Sequence, residues 1–187
     1  MLLETLKEFD WHNDPQRVRF DDEGMHVTAK YRTDFWSCAR HDFKKDDGHF
    51  FFSYAGGDFG CDVVWYAPEM KDFDQCGLML RVDSDNWFKM SLMYDSDNRA
   101  MLASSLTNDG FSDLATAMLD GEVEKVWYKL KRKKGCYIAS YSTDGVCFEQ
   151  LRKFYLPHDT EEVSIGAYIC SPQRDDFEAI LQGLTKS

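Results

Sequence analysis

Two tryptophans that stand near charged side chains are the strongest candidates for binding chemistry in this sequence. Trp36 follows Asp34 by two residues, and Lys89 follows Trp87 by two. Sugar-binding sandwiches stack the apolar face of a sugar on tryptophan or tyrosine and hold its hydroxyls with planar or charged polar side chains. Core packing is the alternative reading of both tryptophans. The candidate ligand-binding residues are Asp34, Trp36, Gln75, Arg81, Trp87 and Lys89.

A predicted hairpin brings two of these cations together. With the loop Ser84-Asp85-Asn86, one face carries alternating apolar residues of both strands, and the other face carries Arg81 directly opposite Lys89. An odd-numbered loop is favoured, because an even one would set apolar side chains against polar ones. Like charges directly across a strand pair repel, so we expect Asp34 or a hydroxyl-rich or carboxylate-bearing ligand to compensate them. Two solvated cations, or a purely structural salt bridge with Asp34, are the alternatives. The predicted core face consists of Leu78, Leu80, Val82, Phe88, Met90 and Leu92.

Catalytic and metal-binding signatures are missing from the sequence. It contains no GxSxG, HExxH, GxxxxGK[ST] or GxGxxG motif, and its five histidines share no ligand spacing. Acidic pairs such as Asp46-Asp47 stand in polar turns without an EF-hand pattern. We therefore predict no catalytic residue, no metal and no cofactor.

The charge balance bears on which partners are possible. Lys and Arg number 22 against 33 Asp and Glu, which gives a formal net charge of −11. Such a surface repels phosphate backbones and anionic lipid, so we expect neither nucleic acid nor a membrane as a partner. No stretch of the sequence approaches the roughly 20 apolar residues of a membrane span.

The first residues of the sequence predict a cytoplasmic protein, and this location in turn bears on the state of the cysteines. The first eight residues contain acids where a signal peptide needs a basic start and a long apolar run. In the cytoplasm the thiols should be reduced, and none of them forms a CxxC pair or has zinc-finger spacing. We expect them to be structural. They are Cys38, Cys61, Cys76, Cys136, Cys147 and Cys170.

Alternating polarity along the chain indicates the elements that must position these side chains. In residues 25–31 every odd position is apolar or aromatic, and the aromatic content of 15% suits strands. About ten strands separated by turn residues predict an all-β antiparallel sandwich in one domain, residues 1–187. The predicted strands are 25–31, 49–54, 61–66, 76–82, 87–94, 126–131, 137–142, 147–156, 163–170 and 177–184.

Turns and short helices complete the prediction. Lys134-Gly135 is expected to form a turn, and Asp144-Gly145 a two-residue hairpin. Helix is expected only as a short turn within residues 2–8 and another within Asp113 to Leu119.

Six segments in order resemble the DUF1349 family, which has the concanavalin A-like lectin/glucanase fold. They are Trp11-His12-Asn13-Asp14-Pro15, Thr33-Asp34-Phe35-Trp36, Asp74-Gln75-Cys76-Gly77-Leu78-Met79-Leu80-Arg81, Asn86-Trp87-Phe88-Lys89, Tyr141-Ser142-Thr143-Asp144-Gly145 and Cys170-Ser171-Pro172. The resemblance covers nearly the whole chain. It implies a jelly-roll sandwich of two antiparallel sheets, one of them concave, and no particular activity.

Three positions depart from the family pattern. Met93 stands where relatives usually carry Glu, Leu114 where they carry Trp, and Phe148 where a hairpin Trp is usual. A glutamate that could serve as a catalytic carboxylate is therefore missing.

Three functions follow from this reading of the sequence. The first is a non-catalytic carbohydrate-binding protein that uses the concave face. The second is a cytosolic interaction or regulatory domain with a protein partner. The third is a glycoside-active enzyme, which comes last because no paired carboxylates stand out.

Overall fold

The computed structural model describes residues 6–38, 43–71 and 73–187, and within them almost all regular structure is β-strand. One 3-10 helix spans Leu6–Glu8, so the predicted short turn near the start is confirmed there, and residues 2–5 lie outside the described ones. The strands are β1 (Asp10–His12), β2 (Arg17–Asp21), β3 (Gly24–Thr28), β4 (Phe35–Cys38), β5 (Phe43–Asp46), β6 (His49–Gly56), β7 (Phe59–Tyr66), β8 (Gln75–Arg81), β9 (Trp87–Tyr94), β10 (Ala100–Asn108), β11 (Phe111–Ser112), β12 (Ala115–Met118), β13 (Lys125–Lys133), β14 (Cys136–Ser142), β15 (Glu149–Phe154), β16 (Glu162–Cys170) and β17 (Glu178–Lys186).

These strands form two antiparallel sheets. The first has ten strands in the order β1-β6-β16-β8-β9-β10-β11-β4-β5, with β12 paired to β10 outside this path. The second has seven strands in the order β15-β14-β13-β7-β17-β3-β2. The predicted all-β antiparallel sandwich is therefore confirmed.

The main core lies between the two sheets. In β7 buried and half-buried residues alternate without interruption from Phe59 to Tyr66, as a strand with one inward face requires. Two polar side chains tie the sheets together across this core. The indole Nε1 of Trp65 donates to the carbonyl oxygen of Gly77 at 2.9 Å. The Tyr128 hydroxyl donates to the Cys76 carbonyl oxygen at 2.9 Å and accepts from the Leu92 amide at 2.7 Å. Buried tryptophan and tyrosine therefore have partners for their polar ends.

The hairpin of β8 and β9 has the predicted faces but a different register. Its loop runs over residues 82–86, where the amides of Val82 and Asp83 both donate to the Asn86 carbonyl oxygen. Arg81 lies opposite Trp87, and Lys89 lies opposite Met79. The prediction that Arg81 and Lys89 are directly cross-strand is wrong, because the loop is two residues longer than assumed. Both loops have an odd number of residues, so the inward face is unchanged, and Leu78, Leu80, Phe88, Met90 and Leu92 are buried as predicted.

The two turn predictions have different outcomes. Lys134 and Gly135 both have positive φ and join β13 to β14 directly, which is the type I′ geometry of a two-residue hairpin. Asp144-Gly145 belongs instead to a longer loop over residues 143–148. The Asp144 carboxylate accepts the amides of Val146 and Cys147 there, and it thereby stabilises a wider turn than the one predicted.

Several further strands differ from the prediction, and β1, β2, β4, β5 and β11 have no counterpart among the predicted strands. The segment from Asp113 to Leu119 contains β12 rather than a helical turn, because Ala115–Met118 pairs with β10. The long central strand β10 was not predicted at all. No helix among the residues that the structure describes is long and apolar enough to cross a membrane.

Candidate functional site

A second, smaller hydrophobic core lies on the outer face of the ten-stranded sheet. It is built from alternate residues of the central strands and from Phe35 at the start of β4. Its members are Phe35, Phe50, Met79, Trp87, Tyr168 and Cys170. Trp87 is only 1% exposed, with its ring packed at a tilt against Phe35 at 6.4 Å. The prediction that Trp87 offers a stacking surface to a ligand is therefore wrong.

A pocket of about 310 Å³ opens beside this small core. Four of the six predicted site residues line it, namely Asp34, Trp36, Gln75 and Lys89. The remaining lining residues are Phe73, Ser91, Met93, Ala103, Ser105, Leu114, Tyr168, Pro172 and Gln173.

Strand register explains how distant parts of the chain meet at the pocket. Outward positions of β9 lie beside outward positions of β10, with Ser91 opposite Ala103 and Lys89 opposite Ser105. On the other side of β9, Gly77 separates Ser91 from Tyr168 of β16. A Cβ at Gly77 would collide with the Met90 carbonyl oxygen, so only glycine fits this close approach.

A hydrogen-bonded group of Asp34, Gln75 and Lys89 forms the polar side of the pocket. The Lys89 ammonium donates to Oδ1 of Asp34 and to Oε1 of Gln75, both at 2.9 Å. The Lys89 side chain is only 7% exposed, and an unpaired charge there would be costly. Asp34 therefore supplies the compensating charge for Lys89, which is one of the two sources that the sequence left open.

Asp34 is held in place by its own backbone and by the turn after β5. Its Oδ1 accepts the Phe35 amide at 2.8 Å, and its amide donates to Oδ1 of Asp47 at 2.9 Å. Its carbonyl oxygen accepts from the amides of Asp47 and Gly48. Within the described residues, all hydrogen bonds to the Asp34 carboxylate use Oδ1, and Oδ2 remains available to a ligand.

Two neighbouring groups with raised pKa values stay neutral. Burial raises the pKa of the Tyr168 hydroxyl well above its usual value, and that hydroxyl donates to Oε1 of Gln75 at 3.3 Å. Burial, reinforced by the Asp34 carboxylate, also raises the pKa of the Cys170 thiol well above its usual value. Cys170 therefore contributes no thiolate nucleophile here.

Arg81 lies outside the pocket. Its guanidinium makes a bidentate pair with Asp46 of β5, at 2.7 and 2.8 Å, and its side chain is 11% exposed. The prediction that Arg81 joins Lys89 in one site is wrong. Arg81 instead holds β5 in place, because its planar guanidinium donates two parallel hydrogen bonds to the carboxylate of Asp46.

The sequence does not predict the apolar wall of the pocket, although two residues of this wall stand out in the comparison with the family pattern. Met93 and Leu114 are positions at which the sequence departs from the family pattern, and both line the pocket. The sequence does not identify three other residues of the wall, because nothing in their local sequence shows which face of the sheet they join. These residues are Phe73, Ala103 and Pro172.

Carboxylates do not converge in the pocket. Asp34 is the one acidic residue among its described lining residues. Glycoside hydrolysis commonly uses two carboxyl groups that flank the bond to be cleaved, and this pocket provides one.

A separate acidic cluster lies at the turn between β2 and β3. Possible ligand atoms of Asp21, Glu23 and His26 lie within 4.8 Å of one another. Arg19 donates to Oδ2 of Asp21 at 2.8 Å and contacts Nδ1 of His26 at 2.6 Å, so a guanidinium already compensates this cluster.

The fold and the site define a class of protein, a two-sheet jelly-roll sandwich of the concanavalin A-like type with an outer-face pocket. A family model described as protein of unknown function (DUF1349) matches residues 11–186. The chain belongs to the DUF1349 family.

Known proteins similar to this chain come from yeast and from bacteria. "Regulation of enolase protein 1" of Saccharomyces cerevisiae is 30% identical over 169 residues, which is 90% of this chain and 84% of that protein. A solved structure of a functionally unknown protein from Saccharomyces cerevisiae superposes with a TM-score of 0.88 at 27% identity, covering 97% of each chain. The carbohydrate-binding module CBM66 from Bacillus subtilis has a TM-score of 0.61 at 12% identity, covering 96% of this chain and 95% of that one. The last likeness concerns the fold alone.

Proposed function

We propose that this protein is a non-catalytic carbohydrate-binding protein whose ligand occupies the pocket beside Asp34, Trp36, Gln75 and Lys89. The observation that carries the proposal is a fixed group of hydrogen-bonding side chains next to an indole. Lys89 and Gln75 supply donors for sugar hydroxyls, and Oδ2 of Asp34 supplies an acceptor. Trp36 supplies the ring on which an apolar sugar face can stack.

The size and chemistry of the pocket support this proposal. A volume of about 310 Å³ is at the lower end for small-molecule sites, which are mostly apolar with a few placed polar groups. The fold likeness to a carbohydrate-binding module agrees with a binding role but does not carry it.

A glycan array followed by calorimetric titration tests the proposal. We expect the protein to retain at least one glycan, and Trp36→Ala to weaken binding about tenfold, as the loss of one aromatic stacking partner would. Tyr155→Ala removes a 63% exposed ring outside the pocket and is the control that should leave binding unchanged. The proposal fails if no glycan binds, or if both variants bind as the wild type does.

A regulatory domain that binds another protein is the second candidate, and the yeast relative is the observation that favours it. That relative is named for the regulation of enolase. Exposed apolar side chains at Phe111, Leu114 and Met118 near the pocket would suit a protein contact. The test measures the activity of purified enolase with and without this protein. A change that Met118→Asp abolishes would favour this candidate over carbohydrate binding, because Met118 is 55% exposed and does not line the pocket.

The proposed setting of either function is the cytoplasm. Fractionation of cells that express the full chain would test this predicted location.

A further inference from the structure

We propose that the pocket selects neutral sugars and rejects their uronic-acid counterparts. This inference rests on the proposed carbohydrate-binding function and specifies the class of ligand. It replaces the broader expectation, drawn from the sequence, that a carboxylate-bearing ligand would be equally suitable.

Charge compensation around the pocket is the first argument. The ammonium of Lys89 is already paired with Asp34, and the guanidinium of Arg81 is already paired with Asp46. Farther out, Lys45 is paired with Asp47 at 2.9 Å, and Lys44 with Asp85 at 2.8 Å. Each of these cations therefore has a carboxylate partner, so none of them offers uncompensated positive charge to an anionic ligand.

Hydrogen-bonding capacity is the second argument. An ammonium has three N–H donors, and Lys89 uses one for Asp34 and one for Gln75. Lys89 has one further N–H donor, and Oδ2 of the carboxylate that it contacts accepts no hydrogen bond from the described residues. A hydroxyl can accept from the first and donate to the second at once. A carboxylate can only accept, so it would leave Oδ2 unsatisfied and would repel it.

The apolar wall is the third argument. Phe73, Met93 and Leu114 line the pocket, and Lys89 itself is almost fully buried. Where water is excluded, repulsion between like charges is less screened than in bulk solvent. A ligand carboxylate would lose its hydration without gaining a cation, whereas a hydroxyl would keep two hydrogen bonds.

Ligand-observed NMR with matched pairs of methyl glycosides tests this inference. Each pair consists of a neutral hexoside and the corresponding uronic acid, in the gluco, galacto and manno series. For the pair that binds, we expect the neutral member to bind at least about tenfold more tightly, which corresponds to roughly 1.4 kcal/mol.

Two pocket variants and one control sharpen the test. Asp34→Asn leaves the Lys89 charge uncompensated and should abolish or reverse the preference. Gln75→Glu keeps an acceptor for Lys89, adds a negative charge and should increase the preference. Asp97→Asn changes the net charge of the protein by the same amount as Asp34→Asn at a site 74% exposed and outside the pocket, and should have no effect. Thermal melts show whether each variant is folded. If Asp34→Asn does not fold, comparing the sugar preference of Gln75→Glu with that of the wild type still tests the inference.

The outcomes separate this inference from the proposed function. If a uronic acid binds as tightly as its neutral partner or more tightly, the charge argument is wrong while carbohydrate binding stands. If no glycoside binds at millimolar concentration, the proposed function falls and this inference falls with it. A response of Asp97→Asn equal to that of Asp34→Asn would show that the long-range field, and not the pocket, sets the preference.

Discussion

At the scale of single residues, the sequence predicts part of the environment of Lys89 and Trp87. The sequence offers Asp34 as one possible partner of the Lys89 cation, but for a reason that the strand register contradicts, namely repulsion from Arg81 directly across the hairpin. The sequence leaves core packing and ligand stacking both open for Trp87, since alternation shows which face a residue joins but not whether that face is covered. The cover comes from Phe35, which lies about fifty residues earlier in the chain and packs on Trp87.

His49 is a second residue whose chemistry only the structure reveals. Its Nε2 accepts the Lys30 amide at 2.9 Å, and its Nδ1 lies 2.9 Å from the Asn13 carbonyl oxygen, to which it donates. These two bonds require the neutral ring. Burial is the largest cause that lowers the pKa of His49 below 6.5, and the Lys30 charge adds to it. The Asn13 carbonyl and the carboxylates of Asp47 and Asp14 oppose the shift.

We predict that protonation of His49 destabilises the protein in mild acid. A lowered folded-state pKa means that the unfolded chain binds the proton more tightly. The contribution of the neutral His49 ring to the free energy of unfolding is therefore complete above pH 6.5 and is lost as the pH falls through the folded-state pKa. Thermal melts between pH 7.5 and pH 5 should show a falling Tm, by about 2–4 °C for each kcal/mol lost. His49→Gln should show a shallower decline, and an equally steep one would assign the effect to other groups.

At the level of elements, strand β10 was missed for a physical reason. Its small polar residues Ser104, Ser105 and Thr107 have the composition of a loop, yet all three are buried. Residues of β11 and of the turn after it satisfy two of these hydroxyls. The Ser105 hydroxyl donates to the Asp113 carbonyl oxygen, and the hydroxyls of Thr107 and Ser112 share a hydrogen bond. Burial of this kind depends on tertiary partners, which local sequence does not contain.

The hairpin of β8 and β9 gives a prediction about glycine. Gly77→Ala should destabilise the protein by about 3 kcal/mol or more, because the new methyl group would collide with the backbone of Met90. Gly57→Ala is the comparison, since φ is +65° there and nothing lies within 4 Å of the added atom. It should cost only about 1–2 kcal/mol, from backbone strain alone. Urea denaturation of both variants measures the difference. Equal costs would show that the strands can separate at Gly77 to admit a side chain.

At the level of the whole molecule, the sandwich was predictable and the site only partly so. Alternation and turn residues predict two antiparallel sheets, because each strand must bury one face. The pocket depends on a second buried face, on which Phe35 of β4 covers the outside of the central strands. No periodicity within a single strand encodes that cover, so the sequence alone fixes neither the burial of Trp87 nor the pairing of Arg81 with Asp46.

The cysteines provide a prediction about the whole chain. Cys61, Cys76, Cys136 and Cys170 are buried, Cys38 is half-buried, and Cys147 is exposed. Alkylation of the native protein should therefore modify Cys147 first and Cys38 more slowly, and it should leave the other four intact. After denaturation without a reductant, mass spectrometry should find six modified cysteines. A shortfall of two would reveal a disulfide and would contradict the predicted cytoplasmic location.

The most direct test of carbohydrate binding in this pocket is an NMR titration of the ¹⁵N-labelled protein with a neutral oligosaccharide that the glycan array retains. The largest shifts should fall on the indole N–H of Trp36 and on the backbone amides of Gln75, Lys89 and Ser91. The indole of Trp127, which lines a pocket on the other sheet, should remain unshifted and is the internal control. Shifts centred on Trp127, or spread evenly over both sheets, would contradict carbohydrate binding in the pocket beside Trp36.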